Sequence, residues 1–334
     1  MEKSSLLIPY NKSYLTLDQQ IEKLKVNGLI IHNENYAKKC LISYNYYRLS
    51  AYWHLFRQRD PNDSTKKLGK FESGHTFEEV IQIYEFDYQL RKLIFEAITD
   101  IETFLRTQVA YHIPGINNDA FAMYDQSLFY MRSRRNLKGI DYQGLMKGIN
   151  TEISRAKGED FISHFKNTYN DTYDDHPKLP FWVLTEIVSF GTLRKIYKHL
   201  KSSHKHLISD SFNIGTTSSS SPSPYIHIDK ENLNSHLFLI NKYRNVCAHH
   251  GRLWNRKVKD VLTADAATEL QISDHTNGGL YALIIVIARL LEPTGHAKDW
   301  KDSIYCLLEK NFPLGDITKF TTLPLDWHKH PIWK

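Results

Sequence analysis

The stretch TFEEVIQIYEFDYQLRKLIFEAITDIETFLRTQVAYHIPG, residues 76–115, decides the fold. Thr76 followed by Glu79 has the spacing of a capping box, in which each side chain accepts from the other's backbone N–H. Val80, Ile83, Leu90, Ile94, Ala97, Ile98, Ile101, Leu105 and Val109 then recur with the period of one helix face. The pattern lasts until Pro114-Gly115, where proline lacks the N–H that a helix interior needs. The spacing predicts roughly 36 residues of helix, about 54 Å at about 1.5 Å per residue. A helix of that length is a spine for others.

Upstream, Thr16 and Gln19 repeat the capping-box spacing, Ile21, Leu24 and Leu29 follow, and Gly28 is the expected stop. A second helix is predicted over 35–43. A third carries Tyr46, Tyr47, Leu49, Tyr52, Trp53 and Phe56. Residues 60–74 are polar, with Pro61, Gly69 and Gly74, and read as a loop or linker. Downstream, helices are predicted over 120–135 and 142–156. Another opens at Leu179-Pro180 and runs to Leu200 with a kink at Gly191. Further helices are predicted over 233–250, stopped by Gly251, and over 280–291 and 304–310. Residues 216–224 are nearly all Ser, Thr and Pro and read as a flexible surface loop. No strand and no internal repeat is indicated. The reading is all-α: an N-terminal helical region, 1–75, then a helical bundle around the long central helix, 76–334.

Composition agrees. The 334 residues hold 15 Gly and 11 Pro, fewer breakers than average usage, which favours long helices over a many-stranded sandwich or barrel. The hydrophobic fraction of 41% excludes disorder as the main state. Cys40, Cys247 and Cys306 are sparse and odd in number, with no C-x-x-C, as in a reducing cytosol. The opening residues, Met1 to Ser5, lack the apolar run of a signal peptide. The most apolar run, 280–291, is too short to span a bilayer and carries Arg289, so a buried core helix is expected. These features point to a soluble, cytoplasmic protein with no membrane association.

Signatures of nucleotide hydrolysis, dinucleotide binding, nucleophile elbows and zinc proteases are absent. Asp171, Asp174 and Asp175 cluster beside Pro177 in a polar stretch that reads as solvated loop. Asp299-Trp300-Lys301 resembles half of a nuclease motif that needs a strand, and none is predicted there. No cofactor is called for.

The segment 241–257, NKYRNVCAHHGRLWNRK, carries the chemistry. No acidic residue occurs between Glu231 and Asp260, while Lys242, Arg244, Arg252, Arg256 and Lys257 crowd in with His249 and His250. Such a site suits a phosphate-bearing ligand. At 100° per residue from Leu233, Leu237, Ile240 and Cys247 fall within about 40° and Arg244 at about 20°. An arginine in an apolar stripe needs a carboxylate, a dimer partner or a substrate phosphate. Asn245 and His249 stand i and i+4 on one face, so Asn245 is placed to fix the His249 ring. A histidine as base or acid and an arginine on the phosphate suffice for metal-free RNA cleavage. The chemistry uses the ribose 2′-OH, so it selects RNA over DNA. Against this stands a simpler reading of Arg244 as a core salt-bridge residue. Cys247, His249 and His250 point in different directions and make no metal site.

Four blocks, in order, resemble the AbiD/AbiF-type abortive-infection proteins of bacteria. The first is Gly28-Leu29-Ile30-Ile31 with Tyr44, Tyr47-Arg48-Leu49-Ser50 and Tyr52. The second is Phe77, Tyr84, Asp87, Leu90-Arg91, Ile101-Glu102 and Leu105-Arg106-Thr107. The third is Leu179-Pro180-Phe181-Trp182 with Glu186 and Ser189-Phe190-Gly191-Thr192-Leu193. The fourth runs from Arg244 to His250, then Arg252-Leu253-Trp254-Asn255-Arg256.

The resemblance implies the HEPN superfamily of helical ribonucleases, whose R-x4-6-H motif matches Arg244 and His249, with Asn245 as the polar residue after the arginine. It implies a metal-independent endoribonuclease in phage defence, a homodimer with a composite site, and toxin-like control by an antitoxin, which an RNA could provide. Glu102 and Arg106 then either pair along the long helix or hold Arg244 in place, with His250 at the helix end. Lys242, Arg252, Arg256 and Lys257 are expected to contact RNA. Tyr46, Tyr47, Tyr52 and Trp53 either stack on bases or pack in the core, and Arg132, Arg134 and Arg135 either contact RNA or end a solvated helix. Two other readings remain at this stage: a non-catalytic helical protein that holds a structured RNA, and one that senses a phage component.

Overall fold

A computed structural model of the chain describes residue 10 and residues 12–131, 140–156, 158, 160–169, 179–213, 227–259 and 261–333. Arg132, Arg134, Arg135, the Asp171–Asp174–Asp175 cluster and the 216–224 loop lie outside the described residues. The chain divides into two compact units, 1–88 with 311–315, and 89–310 with 316–334.

In the first unit, α1 (Leu17–Val26) starts on Thr16, whose capping box with Gln19 is complete. Gly28, at φ +95°, ends it, and the Leu29 N–H reaches back to the Leu24 carbonyl. α2 (Glu34–Tyr44) and α3 (Tyr46–Trp53) follow. Then comes an antiparallel hairpin, β1 (Arg57–Asp60) and β2 (Asp63–Phe71), turning at Pro61-Asn62. This corrects the expected loop at 60–74 and the expected absence of strands. The hairpin is solvated: in β2 only Phe71 is buried. Without alternating apolar residues it leaves no periodic signal. Backbone pairing holds it, together with Lys67, whose ammonium donates to the carbonyls of Leu55 and Arg57. Tyr52 and Trp53 are core residues, and the buried Tyr52 hydroxyl donates to Asp87 at 2.7 Å. Tyr46 packs edge-on against Trp53, which leaves Tyr47 as the exposed aromatic of the four.

The long helix is α4 (Phe77–Asn117), 41 residues, which begins with the Thr76–Glu79 capping box. It passes Pro114, where the sequence pattern predicts a stop, by a single turn. Asn118 at φ +51° then closes it, with the Asp119 N–H bonded to the Pro114 carbonyl at 3.0 Å. All the apolar positions of its predicted stripe are buried.

In the second unit, residues 122–124 and 126–128 form single 3-10 turns where one helix over 120–135 is expected. Asp119 and Asp125 cap nearby N–H groups with their own carboxylates, a local alternative to helix. α5 (Tyr142–Arg155), α6 (Asp160–Tyr169), α7 (Phe181–Ile187) and α8 (Phe190–His199) follow. α7 and α8 are two helices and not one kinked at Gly191. Ser189 breaks the run by capping α8 while its N–H donates to Glu152 at 2.7 Å. The rest are α9 (Ser202–Ser211), α10 (Lys230–Ala248), α11 (Ala264–Glu269), α12 (Leu280–Leu291) and α13 (Ala297–Lys310). Asp299, Trp300 and Lys301 lie near the start of α13, and Trp300 donates to the Leu93 carbonyl, so the nuclease-motif resemblance has no strand to stand on.

Every residue of α12 is buried, Arg289 included. α10 packs against α8, α9, α11 and α12. α4 is the common support: Arg106 reaches α7, His112 reaches Ser211 of α9, and Leu93 takes Trp300 of α13. Among the described residues no helix is long and apolar enough to cross a membrane.

Candidate functional site at the end of helix α10

α10 starts on Asp229, which accepts from the Glu231 N–H. Its far end is closed by a left-handed residue, His250 at φ +53°, with the Gly251 N–H bonded to the Val246 carbonyl at 2.8 Å. Gly251, one place later, sits close against the helix end. A Cβ on Gly251 would lie 3.2 Å from Val246 Cγ1 and 3.3 Å from its carbonyl oxygen. His250 is therefore a helix-closing residue.

The loop beyond is anchored from within. The buried Tyr243 hydroxyl lies 2.9 Å from the Arg256 carbonyl and 2.8 Å from that of Gly278, and burial pushes its pKa up. Leu253 and Trp254 are buried. Gly278 (φ +75°) lets the chain pass: a Cβ there would sit 2.0 Å from the Val258 oxygen.

Arg244 keeps 35% of its side chain exposed, although it stands in the apolar stripe. Its Nε is buried without a hydrogen-bond acceptor and lies 3.8 Å from Glu102 Oε2. The other Glu102 oxygen accepts from Arg106, whose second guanidinium nitrogen donates to the Thr185 carbonyl of α7. One carboxylate thus faces two guanidinium groups. The sequence allowed Glu102 either to pair along α4 or to approach Arg244, and its two oxygens do both. The trio carries a net positive charge, and Arg244 is its open member.

Asn245 and His249 are exposed on the same end of α10. Among the described residues no hydrogen bond joins the Asn245 amide to the His249 ring, so that expected contact is not made in this state of the chain. His249 is the cap residue, and its backbone N–H bonds to Asn245 and Cys247 carbonyls. Lys242 lies 5.1 Å from the centre of the Phe238 ring, one turn earlier. Arg194 of α8 lies 4.9 Å from the same ring. Arg252 is half-buried, Arg256 is exposed, and Lys257 is turned to the His275 carbonyl at 3.0 Å. Among the described residues no group of three or more His, Cys, Asp or Glu is placed to hold a metal ion.

Arg194 was not among the residues singled out from sequence. Burial lowers its pKa, and its Nε has no acceptor. The available signal was a second acid-free stretch, 187–209, containing Arg194, Lys195, Lys198, Lys201 and Lys205.

The family model of the Abi-like proteins matches residues 39–255, from α2 to the loop after α10. The chain belongs to this abortive-infection family, the AbiD/AbiF group. No curated protein matches it, and no solved structure does.

Proposed function

We propose that the chain is a metal-independent endoribonuclease of the HEPN type that acts in phage defence as a cytoplasmic toxin. Arg244 holds the scissile phosphate and offsets charge in the transition state. A base removes the ribose 2′-OH proton and the 2′ oxygen attacks the adjacent phosphorus. An acid then protonates the departing 5′ oxygen, which leaves a 2′,3′-cyclic phosphate and a 5′-OH. His249 serves as base or acid, and the second histidine comes from the partner chain of a twofold homodimer. Asn245 contacts the same phosphate or the ring. Lys242, Arg252, Arg256 and Lys257 hold the flanking strand, and an antitoxin, which an RNA with the same chemistry could be, occupies the site at rest.

The observation that carries this reading is the Arg244–Glu102–Arg106 trio. A core salt bridge would match charges and bury both partners. Here a spare positive charge remains, and its arginine is part exposed at the helix end that presents Asn245 and His249.

The test is cleavage of total RNA by purified protein and by its Arg244→Ala and His249→Ala variants. Loss of cleavage in both variants, activity that persists in EDTA, and 2′,3′-cyclic phosphate ends are expected. Full activity in both variants, or strict metal dependence, would overturn the assignment.

A further inference from the structure

A cleft of about 200 Å³ lies between α5 and α8. It is smaller than the roughly 300–1,000 Å³ of drug-sized pockets, so it holds one ring system rather than a whole large ligand. From α5, Gly148 exposes bare backbone, the Asp141 carboxylate lies over Gly144, and Leu145 between the two glycines is an apolar floor. From α8 come His199 and Lys195. Among the described residues neither ring nitrogen of His199 has a hydrogen-bond partner. Burial, aided by Lys198, Lys205, Arg194 and Lys195, lowers its pKa to about 4. At neutral pH the ring is uncharged and offers one donor and one acceptor. Asp141, which caps Gly144 at 3.1 Å, adds a carboxylate acceptor at the rim. Exposed Lys195 lines the cleft, and exposed Lys198 stands one turn further along α8, next to His199, in a stretch without Asp or Glu.

We propose that this cleft is a nucleotide-binding subsite, with the base over Gly148 and Leu145, its edge toward Asp141, and its phosphate on Lys195 and Lys198. A planar base can stack on the His199 ring, and its phosphate suits the two lysines. Asp141 as acceptor favours a base with an exocyclic amino group, so adenine binds better than uracil. The nucleotide is either free or part of an RNA strand. The subsite is separate from Arg244 and His249 and does not depend on their catalytic role.

Gly148→Leu fills the cleft without harming the helix. A Cβ at 148 meets nothing within 4 Å, and leucine is the better helix former. Binding of a labelled twelve-residue oligo(A), and of AMP, is measured with full-length protein carrying His249→Ala so that the strand stays intact. Gly148→Leu and Lys195→Glu should each weaken oligo(A) binding at least about tenfold, the scale of one lost stacked base. Oligo(U) should bind the parent more weakly than oligo(A). AMP binding lost in Gly148→Leu identifies a free nucleotide. Oligo(A) binding lost without any AMP binding assigns the base to an RNA strand. Parent-like affinity for both probes in Gly148→Leu would overturn the proposal, as would no binding of either probe to the parent. Cleavage by Arg244→Ala is scored separately, so either site can fail alone.

Discussion

α10 carries two histidines that stand near an arginine, His236 close to Arg289 of α12 and His249 five residues beyond Arg244. Arg289 is 1% exposed and donates to the Phe212 carbonyl at 3.0 Å and to Asn213 Oδ1 at 2.6 Å. Asn213 in turn bonds the backbone of Ser209 and Ile228. The pair is part of the core, and burial and the Arg289 charge push the His236 pKa down to about 3, with the Ala266 backbone opposing in smaller measure. Arg244 sits in an equally apolar stripe but is part exposed, has a carboxylate no closer than 3.8 Å, and is followed by an exposed histidine. Arginine in an apolar stripe therefore has two outcomes. Arg289 has its donors bonded inside the core, whereas Arg244 keeps a buried Nε without an acceptor at the exposed end of α10.

The difference can be broken at four points. Arg289→Ala removes two charge-assisted hydrogen bonds and leaves a cavity, at a cost of about 3 kcal/mol or more in denaturant unfolding. A loss under about 1 kcal/mol would contradict its structural role.

The second point is pH. A folded-state pKa below the unfolded value of about 6.5 gives stability that is complete above that pH and is lost as pH falls toward about 3. His236 should contribute a slope approaching ~1.4 kcal/mol per pH unit in that window. His199 and His330, also shifted down by burial, add to it. His236→Asn should flatten the slope measured by thermal unfolding from pH 7 to pH 4. An unchanged slope would show that the ring is solvated.

Third, Arg106→Ala leaves the Thr185 carbonyl and a Glu102 oxygen without their donors and should cost about 1–3 kcal/mol. Fourth, Arg244→Ala should change stability by less than about 1 kcal/mol. Cleavage should nevertheless fall at least about a hundredfold, the effect of removing one transition-state donor. If Arg244→Ala unfolds the protein as Arg289→Ala does, the two arginines are alike and the comparison collapses.

The legible parts of the fold are those where one face of one helix settles the matter. The stripe of α4 carries its burial in its own periodicity, and α12 in a nearly continuous apolar run broken only by Arg289 and Tyr281. The hairpin was illegible because pairing of backbone groups, not apolar alternation, holds it. α9 and α11 are short and weakly patterned, and the α7–α8 break depends on Ser189 meeting Glu152 from α5. In the site, Arg244, Asn245 and His249 were legible as a local motif. Lys242, Arg252, Arg256 and Lys257 were legible only as charge. That Arg194 joins Lys242 at the Phe238 ring, and that Lys257 turns to His275, follows from neighbours farther along the sequence.

Sequence by itself determined the helical class, the long α4, and the spacing of Arg244 and His249, because each depends on residues within a few turns of one another. Tertiary structure alone decided that Glu102 faces both Arg106 and Arg244, and that Arg289 is satisfied while Arg244 is not. It also decided that α5 and α8 leave a cleft over Leu145 and Gly148. Those outcomes depend on which oxygen lies near which guanidinium, and residues from separate helices meet only when the core packs.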